Sequence, residues 1–218
     1  MATITCKCGA VQIELSATRD LFRLECCCHD CTAALWYANK RGGPAFPDNQ
    51  CVDSSWFPND FKIVKGENKL GAFVNFENAD TTRYHCKDCW SVLFGDHTAY
   101  ARKIVVTQVR NYKEFEGLKN VELMLPQARH FLKDLSQEQL AALPAWGGDP
   151  SDVYQGVADN WMARFPTVLE AGKEGVEMNA QILLAKIGGA CVPTGESRLT
   201  EGPPTLMQQA AKQAAGLA

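Results

Sequence analysis

The chain has 218 residues, of which 46% are hydrophobic and 22% charged, and its formal net charge is -3. This composition is typical of a globular protein that buries a core of its own. A slightly acidic chain has no overall positive field to hold nucleic acid or an anionic membrane, so we expect neither as a partner.

Targeting signals are not evident in the sequence. The N-terminal residues, MATITCKCGA, have neither the basic start nor the apolar run of a signal peptide. The most apolar later stretch, AQILLAKIGGACV, contains Lys186 and falls well short of the roughly 20 residues that a bilayer span needs. We therefore expect a soluble, cytoplasmic protein whose thiols stay reduced.

The first half of the chain reads as short strands and loops. A strand-like run, ATITC, ends in Cys6 and Cys8 and leads into Gly9. The stretches LWYANKRGGPAFP and SSWFPNDF are rich in Trp, Phe and Pro, and they are predicted to be loops that wall a pocket. Further on, the β-rich TTRYHC ends in Cys86, and WSVLFG follows Cys89.

Beyond about residue 120 the pattern becomes helical. The segment 121–143 reads as partly helical, and SQEQLAAL predicts a helix capped by Ser136. In SDVYQGVADNWMARF, apolar residues recur every four positions, which predicts a helix capped by Ser151 or Asp152. The residues on its apolar face are Val153, Val157, Trp161 and Phe165.

The last part of the chain is predicted to contain one more helix, TVLEAGKEGVEMNAQILLAKIGG, weakened by Gly172 and Gly175. ACVPTGESRLTEGPP reads as a loop, and TLMQQAAKQAAGLA as a weak Ala-rich helix or a disordered tail. We expect three segments. Residues 1–120 form a β-domain, residues 121–150 form a C-terminal segment that continues it, and residues 151–218 form a helical extension. The extension is expected to cover the β-domain, to pair with a second subunit in a homodimer, or to form a lid over the substrate site.

Cysteine grouping is the strongest chemical signal. Eight of the ten cysteines fall into three groups, and they are Cys6 and Cys8; Cys26, Cys27, Cys28 and Cys31; Cys86 and Cys89. Disulfides between such close neighbours are strained, whereas a soft divalent metal needs several thiolates around one point. In a reducing compartment this pattern favours zinc.

Counting ligands predicts two zinc ions. A closed structural site has four protein ligands, whereas a catalytic site has three and leaves one position for water or substrate. The two flanking pairs supply four thiols, and at the ends of neighbouring strands they would hold one ion. The central group supplies three thiols, from Cys26, Cys28 and Cys31. Cys27 lies between two of these ligands and is expected to point away from the metal, because adjacent residues of a strand face opposite sides.

The cysteine groups and their surroundings resemble a known family. CKCGAVQIEL, the Cys26–Cys31 group, FKIVKGENKL and RYHCKDCWSVLFG look like the glutathione-dependent formaldehyde-activating enzyme family, also called the centromere protein V domain. A weaker similarity continues through LPQARHFLKD and LPAWGG, to about residue 150.

The resemblance implies a mainly β fold of short stacked antiparallel zinc-binding sheets. It implies a structural zinc on Cys6, Cys8, Cys86 and Cys89, and a catalytic zinc on Cys26, Cys28 and Cys31. It also implies a carbon–sulfur lyase, which adds a thiol such as glutathione to an aldehyde or cleaves the adduct.

Three positions differ from the family pattern as it is usually seen. Cys27 replaces a His, Thr32 an Arg, and Trp90 a Gly. None of these changes removes a proposed ligand. They alter the surroundings of the three-thiol group, so we expect a substrate that has diverged from formaldehyde and glutathione towards a larger, less polar carbon skeleton on sulfur.

Other polar residues have two interpretations each. His29 and Asp30 are candidates for proton transfer at the zinc, or are ordinary turn residues. Arg83 is a candidate to bind a substrate carboxylate, or forms a surface charge pair. His85 and His97 are expected to have a packing or surface role. Cys27 is either a redox-reactive thiol or a small buried side chain, and Cys51 and Cys191 are expected to be buried.

Three function classes remain after these observations. The first is a zinc-dependent carbon–sulfur lyase acting on a glutathione-like thiol adduct, with Cys26, Cys28, Cys31 and His29 as its catalytic residues. The second is a non-catalytic zinc-stabilised binding module, and the third is a thiol redox sensor. The three-ligand group favours the first, because a sensor needs an exposed thiol of low pKa and a resolving thiol instead of a metal cage.

Overall fold

A computed structural model describes residues 1–46 and 51–192. The described strands are β1 (Ala2–Thr5), β2 (Gln12–Leu15), β3 (Phe22–Cys26), β4 (Val52–Pro58), β5 (Phe61–Lys65), β6 (Leu70–Val74), β7 (Thr81–Cys86), β8 (Val92–His97), β9 (Ile104–Thr107), β10 (Leu118–Lys119) and β11 (Arg129–His130). The described α-helices are α1 (His29–Lys40), α2 (Gln137–Ala142), α3 (Asp159–Ala171) and α4 (Ala180–Lys186). The final segment, predicted to be a loop and a tail, falls mostly outside these residues.

The strands form two sheets, as the expected fold class requires. The smaller sheet has the order β10-β1-β2-β5, and the larger has the order β11-β3-β4-β9-β8-β7-β6. All pairs between these strands are antiparallel except that of β11 with β3. The mainly β fold of short antiparallel sheets is thus confirmed, with one parallel strand at the edge of the larger sheet.

Burial along the strands follows from their positions in the sheets. β1, β2 and β3 alternate between buried and partly exposed residues, which is typical of strands with one face on the core. β4 lies inside the larger sheet and is buried along almost its whole length. The core therefore fills the space on both faces of the larger sheet.

The two stretches predicted to be loops contain regular structure, and in the first of them residues 41–46 are irregular as predicted. The first part of LWYANKRGGPAFP, up to Lys40, belongs to α1, whose buried face includes Leu35 and Tyr37. SSWFPNDF forms most of β4 and the start of β5. For the residues in α1, β4 and β5 the loop prediction was wrong. Aromatic and Pro residues were read as loop signals, although aromatic residues favour strands and Pro58 is the last residue of β4.

The helical prediction for the C-terminal part is confirmed for α2 and corrected for the others. Ser136 caps α2 in a capping box with Gln139. α3 begins only after Ala158, so Val153 and Val157 precede it and neither Ser151 nor Asp152 is its cap. The predicted last helix is divided: its first residues end α3, and α4 begins after Asn179, whose side chain accepts a hydrogen bond from the Ile182 amide.

The C-terminal segment packs on the β-domain. Asn59 at the end of β4 accepts a hydrogen bond from the Ala180 amide (2.8 Å) and donates one to Gln181 (2.9 Å). The Tyr84 hydroxyl donates to the Ala180 carbonyl (2.7 Å). Cys191 exchanges main-chain hydrogen bonds with the edge strand β6, and its side chain is exposed, which corrects the expected burial.

Membrane insertion by a helix finds no support in this part of the chain. Among the described residues, no helix combines the length and the apolar character that crossing a bilayer requires.

Candidate metal centres

Four thiols converge between the two sheets. The sulfurs of Cys6, Cys8, Cys86 and Cys89 all lie within 4.8 Å of one another. The Cys6 and Cys8 sulfurs are 3.5 Å apart, and those of Cys8 and Cys86 are 3.9 Å apart. Zinc–sulfur bonds of about 2.3 Å in a tetrahedron separate the sulfurs by about 3.8 Å. The four-thiol group therefore fits a closed zinc site.

The two cysteine pairs of this group come from different sheets. Cys6 and Cys8 follow β1 of the smaller sheet, whereas Cys86 ends β7 of the larger sheet. The two pairs were predicted to lie at the ends of neighbouring strands. That prediction was wrong, because β1 and β7 belong to different sheets. The Lys7 amide donates to Ser91 Oγ (3.0 Å), and the Val11 amide donates to Cys6 Sγ (3.2 Å). These bonds orient the thiols before any ion binds.

The thiols of this group differ in acidity. Hydrogen bonding from Cys6, together with Ser91, lowers the pKa of Cys89 to about 4 against the effect of burial. Burial raises the pKa of Cys86 to about 11, and the hydrogen bond with Cys89 raises that of Cys6. The surroundings of Cys89 therefore favour its thiolate, and a bound divalent cation would favour ionisation of the thiols that coordinate it.

Trp90, which follows Cys89, has a left-handed backbone with φ of 51°. This conformation explains the Gly that the family resemblance places here, since a residue with a side chain disfavours it by about 1 kcal/mol. Here Trp90 stacks on His85, with ring centroids 4.2 Å apart and planes at 15°. It also meets Tyr37 of α1 edge-on at 5.8 Å. These contacts offset the backbone strain.

Three thiols form a second group where β3 leads into α1. The sulfurs of Cys26, Cys28 and Cys31 lie within 4.8 Å of one another. Cys26 ends β3, Cys28 is the N-cap of α1, and Cys31 lies in its first turn. Within residues 1–46 and 51–192, no fourth His, Cys, Asp or Glu joins the group. The donor set fits a soft divalent metal such as zinc with one position left over.

The surroundings of this group favour negative charge. The group lies at the N-terminus of α1, where the Cys31 amide donates to Cys28 Sγ (3.3 Å). Hydrogen bonds with Cys26 and Cys28, and then the charge of Arg83 and a bond from Gln108, lower the pKa of Cys31 well below its usual value. The pKa values of Cys26 and Cys28 are raised. Cys31 is thus the thiol of this group that ionises most readily.

Arg83 lies in the protein interior beside the three-thiol group. Its guanidinium is paired with the Asp30 carboxylate in the first turn of α1, and Asn75 also donates to Asp30. Burial acts to lower the pKa of Arg83, but the charges of Asp30 and Cys31 outweigh it and raise the pKa. The predicted surface charge pair is therefore a buried ion pair, and it leaves Asp30 with a structural partner.

The histidines named in the sequence analysis have different surroundings. His29 is the first residue of α1 and is half-buried, and its amide donates to Asp134 Oδ2 (3.1 Å). Burial lowers the pKa of His85 to about 4, and His85 packs on Trp90. His97 Nδ1 accepts a hydrogen bond from the Ala99 amide (3.0 Å). His29 thus follows the Cys28 thiol directly in the chain.

His130 and Tyr100 were missed by the sequence analysis. His130 in β11 is the parallel register partner of Cys26, and burial lowers its pKa to about 4. Burial raises the pKa of Tyr100, and so do the negative charges of Cys31 and Cys26. At neutral pH the imidazole is uncharged and the phenol stays protonated. Neither stands in a cysteine motif, so spacing gave no signal for them.

Aromatic rings pack on the face of the larger sheet to which Cys26 belongs. The register pairs Cys26 with Val52 and Phe22 with Trp56, so alternation places these four side chains on one face. Trp161 of α3 lies 4.6 Å from Trp56, between ring centroids. We call the following residues the aromatic cluster: Phe22, Trp56, Tyr100, Trp161 and Phe165.

The sequence between the N-terminus and residue 122 decides the family. The family model described as "Glutathione-dependent formaldehyde-activating enzyme" matches residues 1–122, which is more than half of the chain. The chain belongs to this family. Both thiol groups lie inside the matched residues, whereas α3 and α4 lie outside them.

Further comparisons add little to this assignment. A crystal structure of a Rhodobacter sphaeroides protein from a structural genomics programme is 18% identical, over 52% of this chain and 89% of that chain, with a TM-score of 0.35. That similarity is too low to support an argument about this chain. No curated protein matches the chain significantly.

Proposed function

We propose that this member of the family is a zinc-dependent carbon–sulfur lyase that forms or cleaves a bond between a thiol and a carbonyl carbon. The observation that supports it is the contrast between the two thiol groups. Cys6, Cys8, Cys86 and Cys89 complete a tetrahedral set, whereas Cys26, Cys28 and Cys31 stop at three among the described residues. Three protein ligands are the mark of a catalytic zinc.

In this proposal Cys26, Cys28 and Cys31 hold the catalytic zinc, and the other four cysteines hold a structural one. A bound zinc ion keeps a coordinated thiol ionised near neutral pH. Three thiolates and a substrate thiolate concentrate negative charge, which Arg83 and the N-terminus of α1 offset. The chain thereby stabilises the thiolate that C–S cleavage releases.

The cleavage direction requires a proton acceptor at the oxygen. In an adduct R–S–CH(OH)–R′, the C–S electron pair leaves on sulfur, the hydroxyl loses its proton, and a C=O bond forms. His29, next to the Cys28 ligand, is our candidate to take that proton, and in the direction of addition it returns the proton. Tyr100, whose hydroxyl stays protonated, is our candidate to donate a hydrogen bond to the same oxygen.

For the carbon skeleton we propose a larger, less polar group than formaldehyde supplies. The aromatic cluster shares the sheet face of Cys26, and α3 contributes Trp161 and Phe165 to it. Phe165 and Tyr100 are only partly buried, so this end of the cluster is open to contact with a ligand. Aromatic and apolar side chains are the usual walls of a pocket for an apolar ligand.

Zinc content and turnover test the proposal together. We expect about two zinc ions in the full chain, with the three-thiol site releasing its ion first to a chelator. Exchange between glutathione and an aldehyde, followed by NMR with formaldehyde and then with benzaldehyde, measures C–S bond formation and cleavage directly.

Matched cysteine variants separate the two sites. Cys28→Ser should leave a folded chain with one zinc and no acceleration of exchange. Cys89→Ser should lose the structural ion and the fold, and the exposed Cys191→Ser should behave as the parent. A fully zinc-loaded parent that accelerates no thiol–carbonyl exchange would instead support a non-catalytic binding module.

A further inference from the structure

Two cysteines outside both metal groups face each other. The Sγ atoms of Cys27 and Cys51 are 3.9 Å apart. Their exposed fractions are only 1% and 9%, and neither belongs to a group that could hold a metal. A sulfur–sulfur contact between two thiols that are not metal ligands has no role in the proposed lyase.

The sheet places the two residues opposite each other. Cys26 pairs with Val52 at the end of the antiparallel β3–β4 ladder, so Cys27 and Cys51 are the next residues along the two strands. Opposed residues of an antiparallel pair have Cα atoms about 4.5–5.5 Å apart. That separation lies within the range that a disulfide spans.

The neighbours of the pair can accommodate a disulfide. The two thiols are packed among apolar side chains, those of Leu132, Leu135 and Leu140. A disulfide is uncharged, so these surroundings accommodate it as well as they accommodate the two thiols. Cys51 Sγ donates a hydrogen bond to Glu25 Oε2 (3.3 Å), which holds the thiol in its position beside Cys27. Glu25 is also paired with Arg129 (2.6 Å), so it keeps a partner after the thiol bond is lost.

We propose that Cys27 and Cys51 are an oxidative modification site that forms a reversible disulfide. With a peroxide as oxidant, one thiol first becomes a sulfenic acid and releases one water. The second thiol then displaces the hydroxyl group, which leaves with a proton as a second water. Two sulfurs are oxidised by one electron each, and one peroxide is reduced to two waters.

The disulfide closes a loop around part of the catalytic group. The segment from Cys27 to Cys51 contains all of α1, with Cys28 and Cys31. Because Cys27 lies between two ligands but points away from them, the bond joins both ends of this segment without using a ligand. Oxidation is therefore expected to fix α1 and to leave all seven metal-binding thiols reduced.

Peptide mapping of the zinc-loaded full chain tests this directly. The protein is treated with hydrogen peroxide, remaining thiols are alkylated, and peptides are analysed before and after reduction. We expect a cross-linked Cys27–Cys51 peptide, two zinc ions still bound, and a rise of about 5–10 °C in Tm that dithiothreitol reverses. The test does not depend on lyase activity, so its failure leaves the proposed function untouched.

Two variants make the result decisive. Cys51→Ala should abolish both the cross-link and the rise in Tm, whereas Cys191→Ser should retain both. Oxidation that joins Cys26, Cys28 or Cys31 while Cys27 and Cys51 remain open to alkylation would overturn the proposal. So would a parent chain in which the pair forms no cross-link at any peroxide concentration that leaves the zinc bound.

Discussion

Removing either partner of the Arg83–Asp30 pair should lower the free energy of unfolding. The loss should be larger for the variant that leaves the more buried charge without a partner. Arg83 is 2% exposed and Asp30 is 28% exposed. Breaking a buried ion pair costs about 3–5 kcal/mol, because the remaining charge is left without a partner. In Asp30→Asn the remaining charge is the fully buried guanidinium, so we expect about 3–4 kcal/mol.

The opposite substitution leaves a less buried charge. In Arg83→Met the remaining Asp30 carboxylate is partly solvated and keeps its contact with Asn75. We therefore expect a smaller loss, about 2–3 kcal/mol. The double variant should cost at least about 1 kcal/mol less than the sum of the two single variants, because residues in contact couple.

Urea denaturation of the zinc-loaded chain, followed by circular dichroism, measures these differences. A loss of about 3 kcal/mol corresponds to a fall of about 6–12 °C in Tm for a chain of this size. The exposed pair Lys186–Glu67, with both side chains 46% exposed, is the matched control, and Glu67→Gln should change stability by less than about 1 kcal/mol.

Additive losses, or a larger loss for Arg83→Met than for Asp30→Asn, would refute the reasoning. Zinc content adds a second readout, because Asp30 lies in the turn of α1 that carries Cys31. We expect both single variants to release the ion of the three-thiol site more readily to a chelator, while the four-thiol site is unaffected.

Further predictions concern pH, packing and capping. Burial raises the pKa of Asp96 to about 6 from 3.8, so the folded state binds more protons than the unfolded state between these values. Stability contributed by Asp96 therefore falls as pH rises from about 4 to 6, and Asp96→Asn should remove this slope and add up to about 3 kcal/mol at pH 7 in urea titrations. An unchanged slope would contradict the assignment. Trp161→Ala should cost about 3–5 kcal/mol in the same assay and, if the aromatic cluster binds substrate, should lower the rate with benzaldehyde more than with formaldehyde. Ser136→Ala should cost about 1 kcal/mol through loss of the α2 cap, and a Ser136→Asp variant should restore most of it; equal stability of all three would contradict the capping role.

Cysteine spacing predicted which thiols lie together, because short spacings bring sulfurs close to one another. Three of the thiols come from one turn of chain, and the remaining four come in two short motifs, so grouping alone separated them. The same reasoning placed Cys27 away from the three-thiol group, and the structure agrees. It had no means of finding Tyr100 or His130, which reach the site from distant segments without a motif of their own.

The elements were less well predicted where burial overrode local composition. Trp, Phe and Pro in SSWFPNDF were read as loop signals, but β4 lies within the larger sheet, where aromatic residues are buried on both sides. In the C-terminal part, the four-residue spacing correctly joined Trp161 with Phe165 on α3. It extended too far towards the N-terminus, because Val153 packs in the cluster of Leu132 before the helix begins.

The sequence by itself determined the family, the mainly β class and the three cysteine groups, because each of these groups lies within a short stretch of chain. Only the tertiary structure decided what surrounds those thiols. It buried Arg83 against Asp30, joined motifs from two sheets around four sulfurs, and brought Cys51 opposite Cys27. Such partners are set by strand register and helix packing, which depend on the whole core and have no local sequence pattern.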